Sequence, residues 1–150
     1  MTSDDAMRIA LEEAQSAGNA GEVPVGAVVV CNGEIIARRH NERETTGDPT
    51  AHAEVLALRD ASEALGRWRL DDCTLVVTLE PCIMCAGALV NARIGKLVYG
   101  AADLKGGATA SLYNVMSDPR VNHNPPVEHG VLGSECAALL QDFFSSKRSH

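Results

Sequence analysis

His52, Glu54, Cys82 and Cys85 are the residues in this chain whose types and spacing could carry chemistry. They occur as His52-Ala53-Glu54 and, thirty residues after the histidine, within Pro81-Cys82-Ile83-Met84-Cys85. One imidazole and two thiolates make three ligands for a zinc ion. Structural zinc sites usually fill all four tetrahedral positions with protein atoms, whereas a catalytic site keeps one for water or substrate. Zinc lowers the pKa of bound water from near 16 towards about 7, which supplies hydroxide at neutral pH. Glu54 is a carboxylate placed to move protons for that water, so the expected roles are metal ligation by His52, Cys82 and Cys85 and general acid-base work by Glu54. By itself the Cys-x-x-Cys fits a structural zinc site or a thiol redox pair as well. Adding His52, Glu54 and Pro81 in this order shifts the reading to hydrolysis.

Separate elements must carry these groups to one point. Asp48-Pro49 reads as a cap followed by proline at the first helical position, which predicts a helix running to about residue 65 with His52 and Glu54 in its first turns. Two residues along a regular helix rotate a side chain by roughly 200°. Both groups can therefore face one ion only at a helix entrance. A β-branched strand is expected over residues 73–79, followed by a helix that Pro81 opens and that runs through residue 92. Cys82 and Cys85, three apart, then project to one side of its start. At both helix starts the unpaired N–H groups and the macrodipole stabilise thiolates.

Around this centre, residues 3–17 predict an opening helix with Ser3 or Asp4 as cap and Gly18 as stop. A strand over 25–31 meets Asn32-Gly33, a hairpin signal, so 34–40 should return antiparallel. Residues 41–47 read as a polar loop and 96–101 as a further strand. Gly106-Gly107 marks a flexible loop, 111–116 a short helix, 127–132 a short final strand, and 135–146 a terminal helix with Ala138, Leu139, Leu140 and Phe143 on its apolar side. The alternation implies a central sheet covered by helices, with parallel pairing across the crossovers.

With 150 residues the chain has the size of one domain around a metal site. A net charge of −7 and 3% aromatics oppose the basic, aromatic-studded surface of a general nucleic-acid binder, so any polynucleotide must be held by local patches. Nothing approaches the roughly 20 apolar residues of a membrane span, and the chain reads as soluble and cytoplasmic, with no membrane partner. Of the five cysteines, Cys31, Cys73 and Cys136 lie in apolar stretches without paired spacing and read as plain buried thiols.

His-x-Glu followed by Pro-Cys-x-x-Cys is the signature of zinc nucleobase deaminases, and the chain resembles one branch of them, the bacterial tRNA-specific adenosine deaminases of the TadA type. Matching segments are Glu22-Val23-Pro24-Val25-Gly26-Ala27, Asp48 to Glu54, Thr78 to Ala88, Arg93-Ile94-Gly95, Asn122-His123, Glu135 to Leu140 and Asp142-Phe143-Phe144. The resemblance implies a three-layer α/β/α cytidine deaminase-like fold, in which helices flank a central mixed five-stranded sheet. It also implies hydrolysis of adenosine to inosine at the wobble position of a tRNA anticodon, chiefly an arginine tRNA, by a homodimer with one Zn2+ per subunit. By similarity Asn41 would hydrogen-bond the flipped base, the Ala53 backbone N–H would meet its substituent, and Val25 and Leu79 would line the pocket. Asp103 and Lys105 would touch the anticodon stem-loop, as would Asn122, His123, Phe144 and Arg148, with Phe143 assigned to helix packing. The chain departs from the family's Asp-x-Lys-Thr-Gly-Ala in having Gly106 within Asp103-Leu104-Lys105-Gly106-Gly107-Ala108, which puts a local contact there in question.

Two rivals remain at this stage. A free-base or nucleoside deaminase acting on guanine or cytidine would use the same zinc and the same Glu54. The 25 residues between the fourth and fifth expected strands suit a parallel crossover, which argues against the cytidine branch. A non-enzymatic zinc module would instead show a fourth protein ligand and no pocket. For RNA, Arg67, Arg69, Arg93, Lys105, Arg120, Lys147 and Arg148 are enough basic residues to build a patch.

Overall fold

Asn32 and Gly33 both take positive φ, 52° and 77°, the conformation a two-residue hairpin turn requires. They join β1 (Gly26–Cys31) to β2 (Glu34–His40) in antiparallel register. In the computed structural model, which describes residues 1–148, the remaining elements are α1 (Ser3–Asn19), α2 (Arg43–Thr46), α3 (Ala53–Leu65), β3 (Cys73–Leu79), α4 (Ile83–Asn91), β4 (Lys96–Ala101), β5 (Val127–Glu128) and α5 (Gly133–Arg148). The sheet order is β2-β1-β3-β4-β5. β1 is antiparallel to both its neighbours, and β3, β4 and β5 run parallel. The mixed five-stranded sheet and the parallel last strand agree with expectation.

Alternating side chains divide the core into two layers. Val28, Val76 and Val98 pack with Ala6, Met7 and Ala10 of α1 and Cys136 of α5. Ala27, Val29, Leu75, Val77 and Leu97 pack with Ala57, Leu58 and Ala61 of α3 and Ala86 and Leu89 of α4. Helices thus cover both faces, and α3 and α4 deliver their N-termini to the same end of the sheet. Among the described residues no helix is long and apolar enough to cross a membrane.

Several elements differ from the sequence reading. The cap of α1 is Thr2, whose hydroxyl accepts the Asp5 N–H while the Asp5 carboxylate accepts the Thr2 N–H, and the helix continues past Gly18 to Asn19. Asp48 does not start a helix. Its Oδ1 accepts the N–H and hydroxyl of Thr50, each at 2.8 Å, and α3 begins at Ala53 with His52 as N-cap. A carboxylate that accepts the amide two residues on makes an N-cap or a free-standing turn with the same local chemistry, so the sequence pattern could not separate them. Similarly Cys82, not Pro81, precedes the first turn of α4.

Residues 111–116 form turns instead of a helix. Leu112 and Tyr113 both donate to the Gly107 carbonyl and Val115 donates to that of Ala108. The segment around Gly106-Gly107 is tied down, with the Gly107 N–H on the Asp103 carbonyl at 2.8 Å and Gly107 paired with Cys82 in an isolated bridge. β5 is only two residues long because Gly130, at φ 75°, turns the chain towards α5. On α5 it is Cys136 that is buried, while Ala138 faces solvent.

Candidate active site

The two halves of the motif use the same local device. His52 and Cys82 are the N-caps of α3 and α4, both with extended backbone (φ −80°, ψ 148° and φ −73°, ψ 177°) and neither spending its side chain on a capping bond. A cap residue stands off the helical path. The entrance condition that lets His52 and Glu54 face one point is thereby met, with Glu54 in the first turn of α3. Cys85 lies in the first turn of α4 and is fully buried.

His52 Nδ1 is 3.6 Å from Cys82 Sγ and 3.5 Å from Cys85 Sγ. Zinc–sulfur and zinc–nitrogen bonds of about 2.3 and 2.0–2.1 Å at a tetrahedral angle give an edge of about 3.6 Å, so the donor set fits zinc by distance and by chemistry. Charge points the same way. The hydrogen bond from Cys85, with help from His52 and against burial, holds the Cys82 thiol down to about 4. The hydrogen bond to Cys82, then burial and the charge of Glu54, push the Cys85 thiol up, and the hydrogen bond to Cys82 raises His52. Three donors so close cannot all shed their protons unless a cation sits among them. Among the described residues these three form the group, with no fourth His, Cys, Asp or Glu in it.

Glu54 is 4% exposed. Burial, reinforced by the charge on Cys82, raises its carboxyl to about 6, the range in which a group can both take and return a proton near neutral pH. It lines a cavity of about 230 Å³ together with His52, Cys82, Val25, Asn41, Ala53 and Leu79. Ligand pockets usually run to about 300–1,000 Å³; this one suits a single ring system. Val25 and Leu79 supply apolar walls. Ala53 is the first residue of α3, so its N–H has no partner within the helix. Asn41 is held in place, its Oδ1 accepting the Arg43 N–H and its Nδ2 donating to the Val23 carbonyl.

The family model of the MafB19-like deaminases matches residues 1–148. A Bacillus subtilis (strain 168) relative named tRNA-specific adenosine deaminase is 52% identical over 149 residues, covering 99% of this chain and 92% of its own length. The chain belongs to the tRNA-specific adenosine deaminase family. A solved structure from work on A-to-I editing by tRNA:A34 deaminases at the wobble position of transfer RNA superimposes with a TM-score of 0.88 at 50% identity, over 91% of this chain and 99% of that one. The guanine deaminase of Nitrosomonas europaea shares the fold at a TM-score of 0.82 and 26% identity, over 95% of this chain and 84% of its own. The fold therefore does not by itself choose the substrate.

Two further residues of this deaminase family member organise its cavity, and sequence reasoning assigned neither a role. Glu80, 2% exposed, accepts the backbone N–H groups of Asp103, Thr109, Ala110 and Ser111 at 3.0–3.1 Å, as well as the Thr109 and Ser111 hydroxyls. Burial opposes its ionisation, yet these bonds, led by the Ser111 hydroxyl, hold it down to about 2. Glu22, 1% exposed, likewise accepts the Glu44 and Thr45 N–H groups and the Thr45 hydroxyl, fixing the loop that carries Asn41 and Arg43. A glutamate inside a matching segment was the only sign of either.

The outer residues divide. Asp103 lines the cavity and also a wider groove of about 790 Å³ with Lys105, Phe144 and Lys147. Its Oδ1 accepts the Lys105 and Gly106 N–H groups. Phe144 is 45% exposed, whereas Phe143 is half-buried with the Lys147 ammonium 5.2 Å above its ring. Asn122 and His123 line neither space; His123 Nε2 donates to the Ile94 carbonyl at 2.7 Å. The Arg148 side chain lies outside the described residues. The expected basic patch is smaller than the count of basic residues, because Arg67, Arg69 and Arg120 are paired with Asp72, Asp71 and Asp118. Among the described residues, Lys105 and Lys147 are the two from that set at the groove.

Proposed function

We propose that the chain hydrolyses adenosine to inosine at the wobble position of a tRNA anticodon, an arginine tRNA in particular, with one zinc ion held by His52, Cys82 and Cys85. The observation that carries this is a buried Glu54 on the wall of a cavity sized for one nucleobase, beside a three-donor cluster. The names of the relatives support the substrate. Zinc bound there supplies water acidic enough to act as nucleophile at neutral pH. Glu54 takes one water proton as the oxygen adds at C6 of the base and delivers it to the ring nitrogen, then carries the second proton from the new C6 hydroxyl to the amino group, whose C6–N bond breaks as the C6 carbonyl forms, so that adenosine and water become inosine and ammonia. Asn41 and the Ala53 N–H orient the base between Val25 and Leu79. The groove beside Asp103, Lys105 and Phe144 takes flanking nucleotides of the anticodon loop, with Phe144 offering a stacking face. Asn122, His123 and Arg148 are proposed RNA contacts by resemblance alone, and Asn122 and His123 lie outside the cavity and the groove.

The chain works as one domain in the cytoplasm, as a homodimer. An exposed Trp68 beside Val55, Leu58 and Ala88 gives an apolar surface that suits pairing, and sedimentation measures the state. The zinc-module reading loses its support, since the group has no fourth protein donor among the described residues and a cavity adjoins it. The guanine reading keeps one observation, the shared fold with a guanine deaminase. Incubating purified protein with arginine tRNA and, separately, with free guanine separates them. Inosine in the anticodon is expected; ammonia from guanine with no inosine in tRNA rejects the proposal.

A further inference from the structure

We propose that Cys31, Cys73 and Asp72 form a second metal site, for a thiophilic divalent cation of the zinc class, at the end of the sheet remote from the cavity. Cys31 closes β1, Cys73 opens β3, and the two stand directly opposite each other in antiparallel register. The Cys73 N–H donates to the Leu70 carbonyl at 3.1 Å and its carbonyl accepts the Gly95 N–H at 3.0 Å. Both backbone groups of Cys73 thus point away from β1. The pair is of the non-hydrogen-bonded kind, which brings opposed Cα atoms to about 4.5 Å and their side chains closest. Both cysteines are buried on the α3 and α4 face.

Asp72 completes a three-donor set. Its Oδ1 lies 3.4 Å from Cys73 Sγ, and one donor atom from each of the three residues lies within 4.8 Å of the others. Zinc–sulfur and zinc–oxygen bonds of about 2.3 and 2.1 Å at a tetrahedral angle give an edge of about 3.6 Å, close to the observed distance. From Cys73 to Leu79 the strand climbs about 20 Å at roughly 3.3 Å per residue, so the group is separate from the His52 cluster. Asp72 has 49% of its side chain exposed, which opens a path from solvent and leaves the fourth position to water. Arg67 Nη2 holds Asp72 Oδ1 at 2.6 Å; its charge neutralises the complex of a dication with two thiolates and one carboxylate.

On binding, two S–H bonds release their protons to solvent, two sulfur–metal bonds and one oxygen–metal bond form, and no electron is transferred. Two sulfur donors and one carboxylate select a thiophilic cation, whereas magnesium and calcium take oxygen ligands.

The test is a Cd2+ titration of the metal-free chain under a phosphine reductant, read as thiolate-to-metal charge-transfer absorbance and as metal retained after dialysis. Two equivalents per chain are expected for wild type and one for Cys31→Ser. Cys82→Ala should retain one at the Cys31 site, so loss of one site is told from loss of the other. Cys31→Ser should also keep the wild-type deamination rate. Asp72→Asn changes an exposed carboxylate and serves as a second variant should Cys31→Ser fold poorly; it should lose the same equivalent on dialysis. A wild type that stops at one equivalent overturns the site, as does a second equivalent that survives both Cys31→Ser and Asp72→Asn. Recovery of a Cys31–Cys73 disulfide that withstands the reductant also overturns it.

Discussion

Gly107 and Gly106 stand side by side and should respond in opposite ways to a single methyl group. A Cβ on Gly107 would lie 2.2 Å from Glu80 Cδ and 2.4 and 2.5 Å from its carboxylate oxygens, whereas one on Gly106 meets Asp103 Oδ2 at 3.1 Å. The Glu80 carboxylate cannot yield cheaply, because four backbone N–H groups and two hydroxyls converge on it at a site 2% exposed. Hydrogen bonds to a charged group are worth about 1.5–3 kcal/mol each, so displacement that breaks two of them costs about 3–6 kcal/mol. The Asp103 side chain at Gly106 can rotate by a few tenths of an ångström, which keeps Gly106→Ala within about 1 kcal/mol of wild type. Urea unfolding of the two variants, read as midpoints at constant slope, measures the difference. Deamination should fall with Gly107→Ala as well, since the same bonds hold Asp103 at the cavity. Equal midpoints for the two variants would refute the view that Glu80 pins this loop. Gly106→Thr, which restores the pattern of the resembling family, should be tolerated for the same reason.

Glu54→Ala should retain zinc and lose at least about a hundredfold in deamination rate; full turnover with full zinc occupancy removes Glu54 from proton transfer. Cys82→Ala should lose the metal of the His52 cluster, and a metal content equal to wild type would show that the ligand set is wrong. Glu22 gives a pH dependence. Burial works against its charge, but the bonds from Thr45 and Glu44 prevail and lower its pKa below the ordinary 4.5. A depressed folded-state pKa adds stability that is complete above the unfolded value and is lost as pH falls below about 4.5. Glu22→Gln should therefore lower stability at neutral pH and flatten the acid limb of the stability curve, and an acid limb as steep as that of wild type would exclude this contribution.

Elements governed by neighbours in sequence were legible. The bounds of β2, β3 and β4 match expectation; Asn32-Gly33 sets one end of β2 and a β-branched run marks β3. Asp48-Pro49 misled because an Asx turn and a helix cap share the same first bond. The segment over 111–116 misled because its amides and those just before it answer to Glu80 and Gly107, far from any local helix signal.

The chain by itself determined the chemistry on offer: one imidazole, two thiols and a carboxylate at the spacing of a deaminase. It also determined that His52 and Glu54 could cooperate only at a helix entrance, since that follows from the pitch of a helix. Tertiary structure alone decided that the entrance is at His52, that Glu22 and Glu80 are loop anchors, and that Cys31 faces Cys73. These depend on strand register and on which distant amides a buried carboxylate can reach. Neither quantity is written in the spacing of residues along the chain.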